Sequence, residues 1–405
     1  MSTSLLYHAF GIRGYTYRRT DYQGGHVIFT IHQEPQTRRC PACGSADVQS
    51  RGRVERRFRL VPIGRRATFV DLAIPRVQCR ACGVVRQVAV PFADARRTYA
   101  RSFERYALEL GRRMTIKDVA AHLGVSWDVI KDIQRRDLAR RFAKPKLKHL
   151  RHIAIDEIAI AKGHRYLTVV LDLGSGAVVF VGDGKGAKAL KPFWKRLRGS
   201  KAKIEAVAMD MSPAYREAVS TNLRGAKIVF DRFHVMKLFN DKLSDLRRAL
   251  HREATDVLQK KVLKGTRWLL LKASENLDEE KDERKKLEEA LALNKSLAVA
   301  YYLKEDLRQF WEQPGKVFGT AFLDGWIKRA EASGIKILQQ MGKTLAAHRS
   351  GLLAYYDVMI TSGPMEGTNN KIKTMKRQAY GFRDQEFFKL KIRAIHETRY
   401  ELIGP

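Results

Sequence analysis

Two aspartates stand where a carboxylate is costly. Asp156 interrupts the apolar run HIAIDEIAI, and Asp210 closes a second one, IEAVAMD. A charge inside or at the end of a hydrophobic strand needs a partner. Two such strands side by side would aim both carboxylates at one spot on a sheet edge. Oxygen-only ligands there suit a hard, water-retaining cation such as Mg2+ or Mn2+. Glu157, next to Asp156, points to the opposite face by strand periodicity and reads as a decoy or a supporting group. A third carboxylate, Glu366, opens the amphipathic segment GPMEGTNNKIKTMKR. At about 100° per residue, Glu366, Asn370, Lys373 and Arg377 share one stripe of a helix, while Ile372, Met375 and Ala379 take another. That stripe fits a metal with phosphates alongside it; a solvated polar face gives the same pattern.

The four cysteines form two matched turns, Cys40 with Cys43 (CPACG) and Cys79 with Cys82 (CRACG). A two-residue gap lets both thiolates face one ion, and the glycine permits close backbone approach. Together they make a closed four-thiolate site, which implies one structural Zn2+. The 35 residues between the turns exceed the usual spacing of about 15–20. They have strand-like composition, so a long hairpin can absorb the excess.

Net charge narrows the partner. The chain of 405 residues carries +34, and its first 150 residues hold 30 Lys and Arg against 12 Asp and Glu. Such a surface attracts nucleic acid, because neutralising phosphates releases condensed counterions. Residues 115–130 (TIKDVAAHLGVSWDVI) fit a helix-turn-helix: Ala120 where two helices approach, and Gly124 where the turn needs a left-handed backbone. The second helix would offer Trp127, Lys131 and Arg135 to the major groove, with Arg135 and Arg136 at its phosphate end. An ordinary helical hairpin gives much the same pattern.

Around these residues the chain reads as α/β and multidomain. Residues 1–95 form a zinc ribbon-like DNA-contact module of short strands. Residues 96–145 are the helix-turn-helix. From 146 to 234 the order is three strands, a helix, a strand, a helix and a strand, which is that of an RNase H-like mixed sheet. Residues 235–356 read as a long all-α insertion, and 357–405 as the closing helices of the catalytic core. No stretch approaches the about 20 apolar residues of a membrane span, and no secretory signal opens the chain. A reducing, cytoplasmic, nucleoid-associated setting is expected, where paired cysteines bind metal rather than form disulfides.

In these motifs the chain resembles the DDE transposases of the ISL-three insertion-sequence family over essentially its whole length. The resemblance lies in the paired CxxCG turns, the helix-turn-helix, IAIDEIAIAKGHRYLTVVLDL, AVAMDMSPAYREAV, IVFDRFHVMK and GPMEGTNNKIKTMKRQAYGFRD, in that order. It implies an RNase H-like core with Asp156, Asp210 and Glu366 as a catalytic triad, and a helical insertion before the glutamate. Asp231 and His234 match the family's Asp-x-x-His signature. His234 would touch phosphate or orient a metal ligand; a structural hydrogen bond to Asp231 is an equal alternative. The implied reaction is metal-dependent cleavage and strand transfer of DNA, with two Mg2+ or Mn2+ about 3.5–4 Å apart serving the attacking and leaving oxygens. The partners would be the element's terminal inverted repeats, target DNA, and further copies of the chain. A silent DNA-binding regulator and a structure-specific nuclease are the competing readings. Trp268 and Trp326 in the insertion would stack on a distorted base or fill a helix core.

Overall fold

The computed structural model describes residues 5–161 and 165–397, in two compact units that divide at Arg140 and Arg141. The first unit is built on a five-stranded sheet. Its elements are α1 (Leu5–Phe10), β1 (Thr16–Gln23), β2 (His26–His32), β3 (Val48–Ile63), β4 (Arg66–Cys79) and β5 (Val85–Gln87). β3 and β4 form the long antiparallel hairpin that the cysteine spacing called for. β2 joins β4 in parallel, β1 pairs with β2 and β5 with β4. Alternation along β4 buries Val70, Leu72 and Ile74 against Phe58 and Leu60 of β3.

Three helices follow: α2 (Arg101–Leu110), α3 (Ile116–Leu123) and α4 (Trp127–Phe142). Thr115 caps α3 by accepting from the Asp118 N–H, and Gly124 ends it in the left-handed region at φ 59°. Phe103, Val119, Leu123, Ile130 and Ile133 close a small core of their own.

The second unit carries β6 (His152–Ala161), β7 (Arg165–Asp172), β8 (Val178–Asp183), α5 (Ala187–Ser200), β9 (Ala206–Met209), α6 (Pro213–Asn222) and β10 (Lys227–Phe230). The sheet order is β10-β9-β6-β7-β8, with β6, β7 and β8 antiparallel and β9 and β10 parallel to β6. This is the RNase H-like order expected from the sequence. Helices α5 and α6 cover one face; α16 (Gly363–Gln378) and α17 (Gln385–Arg393) cover the other. The near-continuous apolar runs of β7 and β8 follow from burial on both faces.

Between β10 and α16 lies an all-helical segment. It comprises α7 (Arg232–Glu253), α8 (Val257–Gly265), α9 (Arg267–Leu271), α10 (Glu283–Ala292) and α11 (Lys295–Arg308). Then follow α12 (Lys316–Ala332), α13 (Lys336–Ala347), α14 (Arg349–Leu353) and α15 (Tyr355–Val358). The segment leaves the sheet at Asp231 and returns beside it. α14 packs on the end of β10 so closely that a Cβ on Gly351 would lie 2.3 Å from the Phe230 ring. Trp326 is fully buried there and donates to the Leu303 carbonyl, so it is core rather than a base contact. Trp268 is exposed, beneath the Arg267 guanidinium. Among the described residues, no helix is long and apolar enough to cross a membrane. The last eight residues of the expected closing segment, 398–405, lie outside the described residues.

Candidate active site and metal centre

Parallel pairing brings the two strand aspartates to one level. β6 and β9 pair with His152 beside Ala206 and Ala154 beside Ala208; carried two residues further, that register sets Asp156 beside Asp210. β9 and β10 pair with Met209 beside Phe230, so the next step sets Asp210 beside Asp231. Three aspartates thus stand at the same height on neighbouring strands, Asp156 within β6 and Asp210 and Asp231 just past the ends of β9 and β10. Hydrophobic context picks out two of them; Asp231, matched in sequence only through the Asp-x-x-His signature, is brought to the same level by the register.

Their surroundings differ. Asp156 lies in β6 on the face covered by α16, where its Oδ2 accepts from Asn369 Nδ2 at 2.7 Å and its Oδ1 from the Glu157 N–H at 2.7 Å. Burial pushes its pKa up, partly countered by His234, and the neighbouring charges of Asp210 and Asp231 push it the same way as burial. Asp210 accepts from the Ser212 N–H through Oδ1. Asp231 has both oxygens engaged: Oδ1 caps α7 through the Phe233 N–H, and Oδ2 meets His234 Nδ1 at 2.7 Å. Burial alone would raise the Asp231 pKa, but the hydrogen bonds from His234, Ser362 and Phe233 hold it below the ordinary range. His234 stands with Nε2 3.9 Å from Asp156 Oδ1. Burial disfavours its imidazolium, yet the Asp231 hydrogen bond and three aspartate charges outweigh that and raise its pKa. The structural contact to Asp231 and the position beside Asp156 are therefore both present.

α16 is fastened over these strands by Asn369, which reaches Asp156; Ser362, just before the helix, lies near Asp231 and lowers its pKa. Glu366 lies between them on the same helical stripe, exposed, in the first turn. Its carboxylate is not gathered with those of Asp156 and Asp210: among the described residues, the four cysteines are the one group of metal-binding side chains with ligand atoms within 4.8 Å. Asn370, Lys373 and Arg377 are exposed as the helical stripe requires. The residue that sequence reasoning passed over is Asn369, which is buried and whose Oδ1 has no partner among the described residues. A contact at i+3 from Glu366 was the available signal; the i+4 neighbour Asn370 was chosen instead. Glu157 faces the other way, as strand alternation requires, and accepts from the Tyr215 hydroxyl at 3.2 Å.

In the first unit the cysteine turns are near-copies. Gly44 N–H donates to the Cys40 carbonyl and Gly83 N–H to the Cys79 carbonyl, at 2.9 and 3.0 Å, with both glycines at positive φ. The sulfurs of Cys40 and Cys82 are 3.7 Å apart, and those of Cys43 and Cys79 are 3.5 Å apart, too long for disulfides. Backbone N–H groups of Cys43 and Ala42 lower the Cys40 pKa to about 6. The Ser45 N–H pulls Cys43 down too, but its three neighbouring thiols push it up to about 12. Four sulfurs so close are placed to share one cation, which would draw off their protons.

On α4, Trp127 is exposed and Lys131 Nζ lies 5.7 Å above its ring. Arg135 lies on the same helix and takes part in polar interactions. Arg136, expected at phosphate, turns inward instead. Its guanidinium meets Glu104 at 3.0 Å, Asp132 at 3.2 Å and the Tyr99 hydroxyl at 2.8 Å. Arg136→Ala should therefore destabilise the first unit by about 2 kcal/mol, since charged hydrogen-bond partners lose their donor. Urea unfolding checks this; unchanged stability with weakened DNA binding would return Arg136 to the phosphates.

Comparison with known proteins covers all these parts. The zinc-finger of transposases IS204/IS1001/IS1096/IS1165 matches residues 36–82, and the helix-turn-helix domain of transposase family ISL3 matches 88–137. The ISL3-type transposase domain matches 153–392, more than half the chain. The transposase for insertion sequence element IS1001 of Bordetella parapertussis is 30% identical over 391 residues, covering 95% of this chain and 96% of that one. The transposase for IS1557 of Mycobacterium tuberculosis is 29% identical, covering 90% and 87%. A Drosophila P element transposase strand transfer complex aligns over 75% of this chain and 94% of that one, at 10% identity and a TM-score of 0.40. The zinc-finger match and the four-thiol cluster together support a structural Zn2+, and the helix-turn-helix supports DNA binding. On the length of the matched domain and the agreement along nearly the whole sequence, the chain belongs to the ISL3 family of insertion-sequence transposases.

Proposed function

We propose that this transposase cuts the ends of its element and joins them to target DNA at a site made by Asp156, Asp210 and Glu366. The supporting observation is the shared level of Asp156 and Asp210 beneath a helix tied to Asp156 by Asn369, three residues past Glu366. Asp231 is the weaker third member, because both its oxygens are already taken by Phe233 and His234. The donor set fits Mg2+ or Mn2+: carboxylate oxygens, with the buried Asn369 Oδ1 beside them and without a partner among the described residues. Two such ions, held by Asp156, Asp210 and Glu366, would supply Lewis-acid stabilisation of the attacking and leaving oxygens.

The chain's own residues do the rest. Asn369 and the Glu157 N–H fix the rotamer of Asp156, so its charge is aimed before substrate arrives. Asp231 orients the His234 ring through Nδ1, and the cationic form of that ring partly offsets the upward push of burial on the Asp156 pKa. Asn370, Lys373 and Arg377 line the exposed stripe where the DNA backbone would pass, their donors suited to phosphate. Water as nucleophile frees a 3′-hydroxyl at the element end, and that hydroxyl attacks a target phosphodiester, expelling a 3′-oxygen. Trp127, Lys131 and Arg135 would read or grip the inverted repeats, and pairing two ends calls for more than one copy of the chain.

A strand-transfer assay with native element ends and Mg2+ or Mn2+ tests this. Joined product is expected; cutting of branched DNA with no joined product would overturn it in favour of a nuclease. Glu157→Gln should join ends within about threefold of wild type, because its side chain hydrogen-bonds Tyr215 on the far face. A loss of more than about a hundredfold there would move Glu157 into the reacting centre.

A further inference from the structure

A recess adjoins the strand that carries Asp156. It has a volume of about 430 Å³ and lies between β6 and the C-terminal half of α16. Its floor is apolar, from Ile158, Ile160 and Ile372, and its rim is cationic, from Lys373, Lys376 and Arg377. Among the described residues, none of the three cations is paired with a carboxylate, and Arg377 has a long contact to Thr374 alone. An apolar slot ringed by unneutralised cations complements a flat hydrophobic group joined to an anion.

Tyr380 closes the rim. It is fully exposed, an unusual position for a large aromatic ring. It also occupies a left-handed conformation, φ 50°, at the cap of α16, where the Gly381 N–H donates back to the Lys376 carbonyl at 2.9 Å. Helices that end this way normally place glycine at that residue, because an L side chain is strained there. Here the glycine is one position later and the tyrosine bears the strain. Nothing in the local packing rewards this, since the ring touches solvent. Backbone strain of this kind clusters at ligand clamps and other functional sites.

We propose that this pocket receives an unstacked nucleobase of the bound DNA, with Tyr380 stacking on it and Lys373, Lys376 and Arg377 holding the flanking phosphates. The inference rests on the reading that the exposed stripe of α16 faces DNA. Ile158 and Ile160 lie on the same face of β6 as Asp156, two and four residues along. At about 3.3 Å per strand residue and about 3.4 Å per nucleotide of a duplex strand, the receiving base sits about two to four nucleotides from the phosphate at Asp156. Stacking needs no particular base, so the pocket would hold the distorted end without adding sequence preference.

The test uses the full chain and duplexes carrying the element's terminal inverted repeat. A single abasic site is walked through the nucleotides flanking the cleavage position, with Ca2+ in place of Mg2+. One abasic position should weaken wild type and Tyr380→Phe roughly tenfold, the usual size of a base–aromatic stack. Tyr380→Ala should bind intact DNA roughly tenfold more weakly and be indifferent to that abasic site. The proposal is overturned if Tyr380→Ala binds intact DNA as wild type does, or stays as sensitive to the abasic walk. Cleavage by Asp156→Asn, measured separately in Mg2+, reports on the carboxylate site alone, so the two readings fail independently.

Discussion

Asp156→Asn, Asp210→Asn and Glu366→Gln are each expected to lower cleavage and strand transfer by about a thousandfold or more, equivalent to about 4 kcal/mol of lost transition-state stabilisation. Element-end binding should survive. Each substitution keeps shape and removes charge. At Asp156 the change is also tolerable to the fold: Asn369 can turn its amide and still bond the new side chain. Glu366 is exposed, so its replacement removes no packing. A softer ligand gives a second check on the role of metal. Asp156→Cys should be inactive in Mg2+ and partly restored in Mn2+, because thiolate binds the softer ion better. Any of the three conservative variants that joins ends above a hundredth of the wild-type rate leaves the triad, and Asp231 becomes the first residue to examine in its place.

Removal of zinc should have the next largest effect, and it should be confined to the first unit. Cys43 and Cys79 lie beside the open end of the β3–β4 hairpin, the end that no turn closes. Structural zinc contributes on the order of 10–16 kcal/mol where folding depends on it. Chelation, or Cys79→Ser, should therefore abolish the cooperative unfolding transition of the first unit and end specific binding to element ends. The second unit contains no cysteine and should keep its melting transition. Metal analysis should return one zinc per chain. An N-terminal unit that stays folded and binds DNA after chelation would falsify the structural role.

The features legible in the sequence were local ones. A carboxylate breaking the HIAIDEIAI run located the strand that is now β6, and alternation put Glu157 on its far face. Gly124 marked a left-handed cap because few other residues take that conformation. Two CxxCG turns pointed to each other because nothing else in the chain could complete either. What escaped depended on partners distant in sequence. That β2 would run parallel to β4, across the hairpin, is set by packing and not by either strand's composition. Arg136 carried the same sequence signal as Arg135, but Glu104 and Asp132 lie within its reach and turn it inward. Trp326 and Trp268 both sit on helical stretches; only the neighbouring helices decide that one is core and the other solvent-exposed. Asn369 was missed because a helical turn of about 3.6 residues leaves i+3 and i+4 equally eligible.

The close approach of Gly351 to Phe230 has a consequence for how such a chain can change. The helical segment departs at Asp231 and comes back to touch Phe230, the residue before its own point of departure. It is a closed excursion whose two ends meet, so its length is nearly decoupled from the geometry of the strands beneath. Closing a longer loop costs only about 0.6 kcal/mol per doubling. Helices could be gained, lost or exchanged in the middle of that excursion while the aspartates on the neighbouring strands kept their spacing. The constraint falls instead on the clasp, where even one added methyl at Gly351 would force the returning chain away from the sheet.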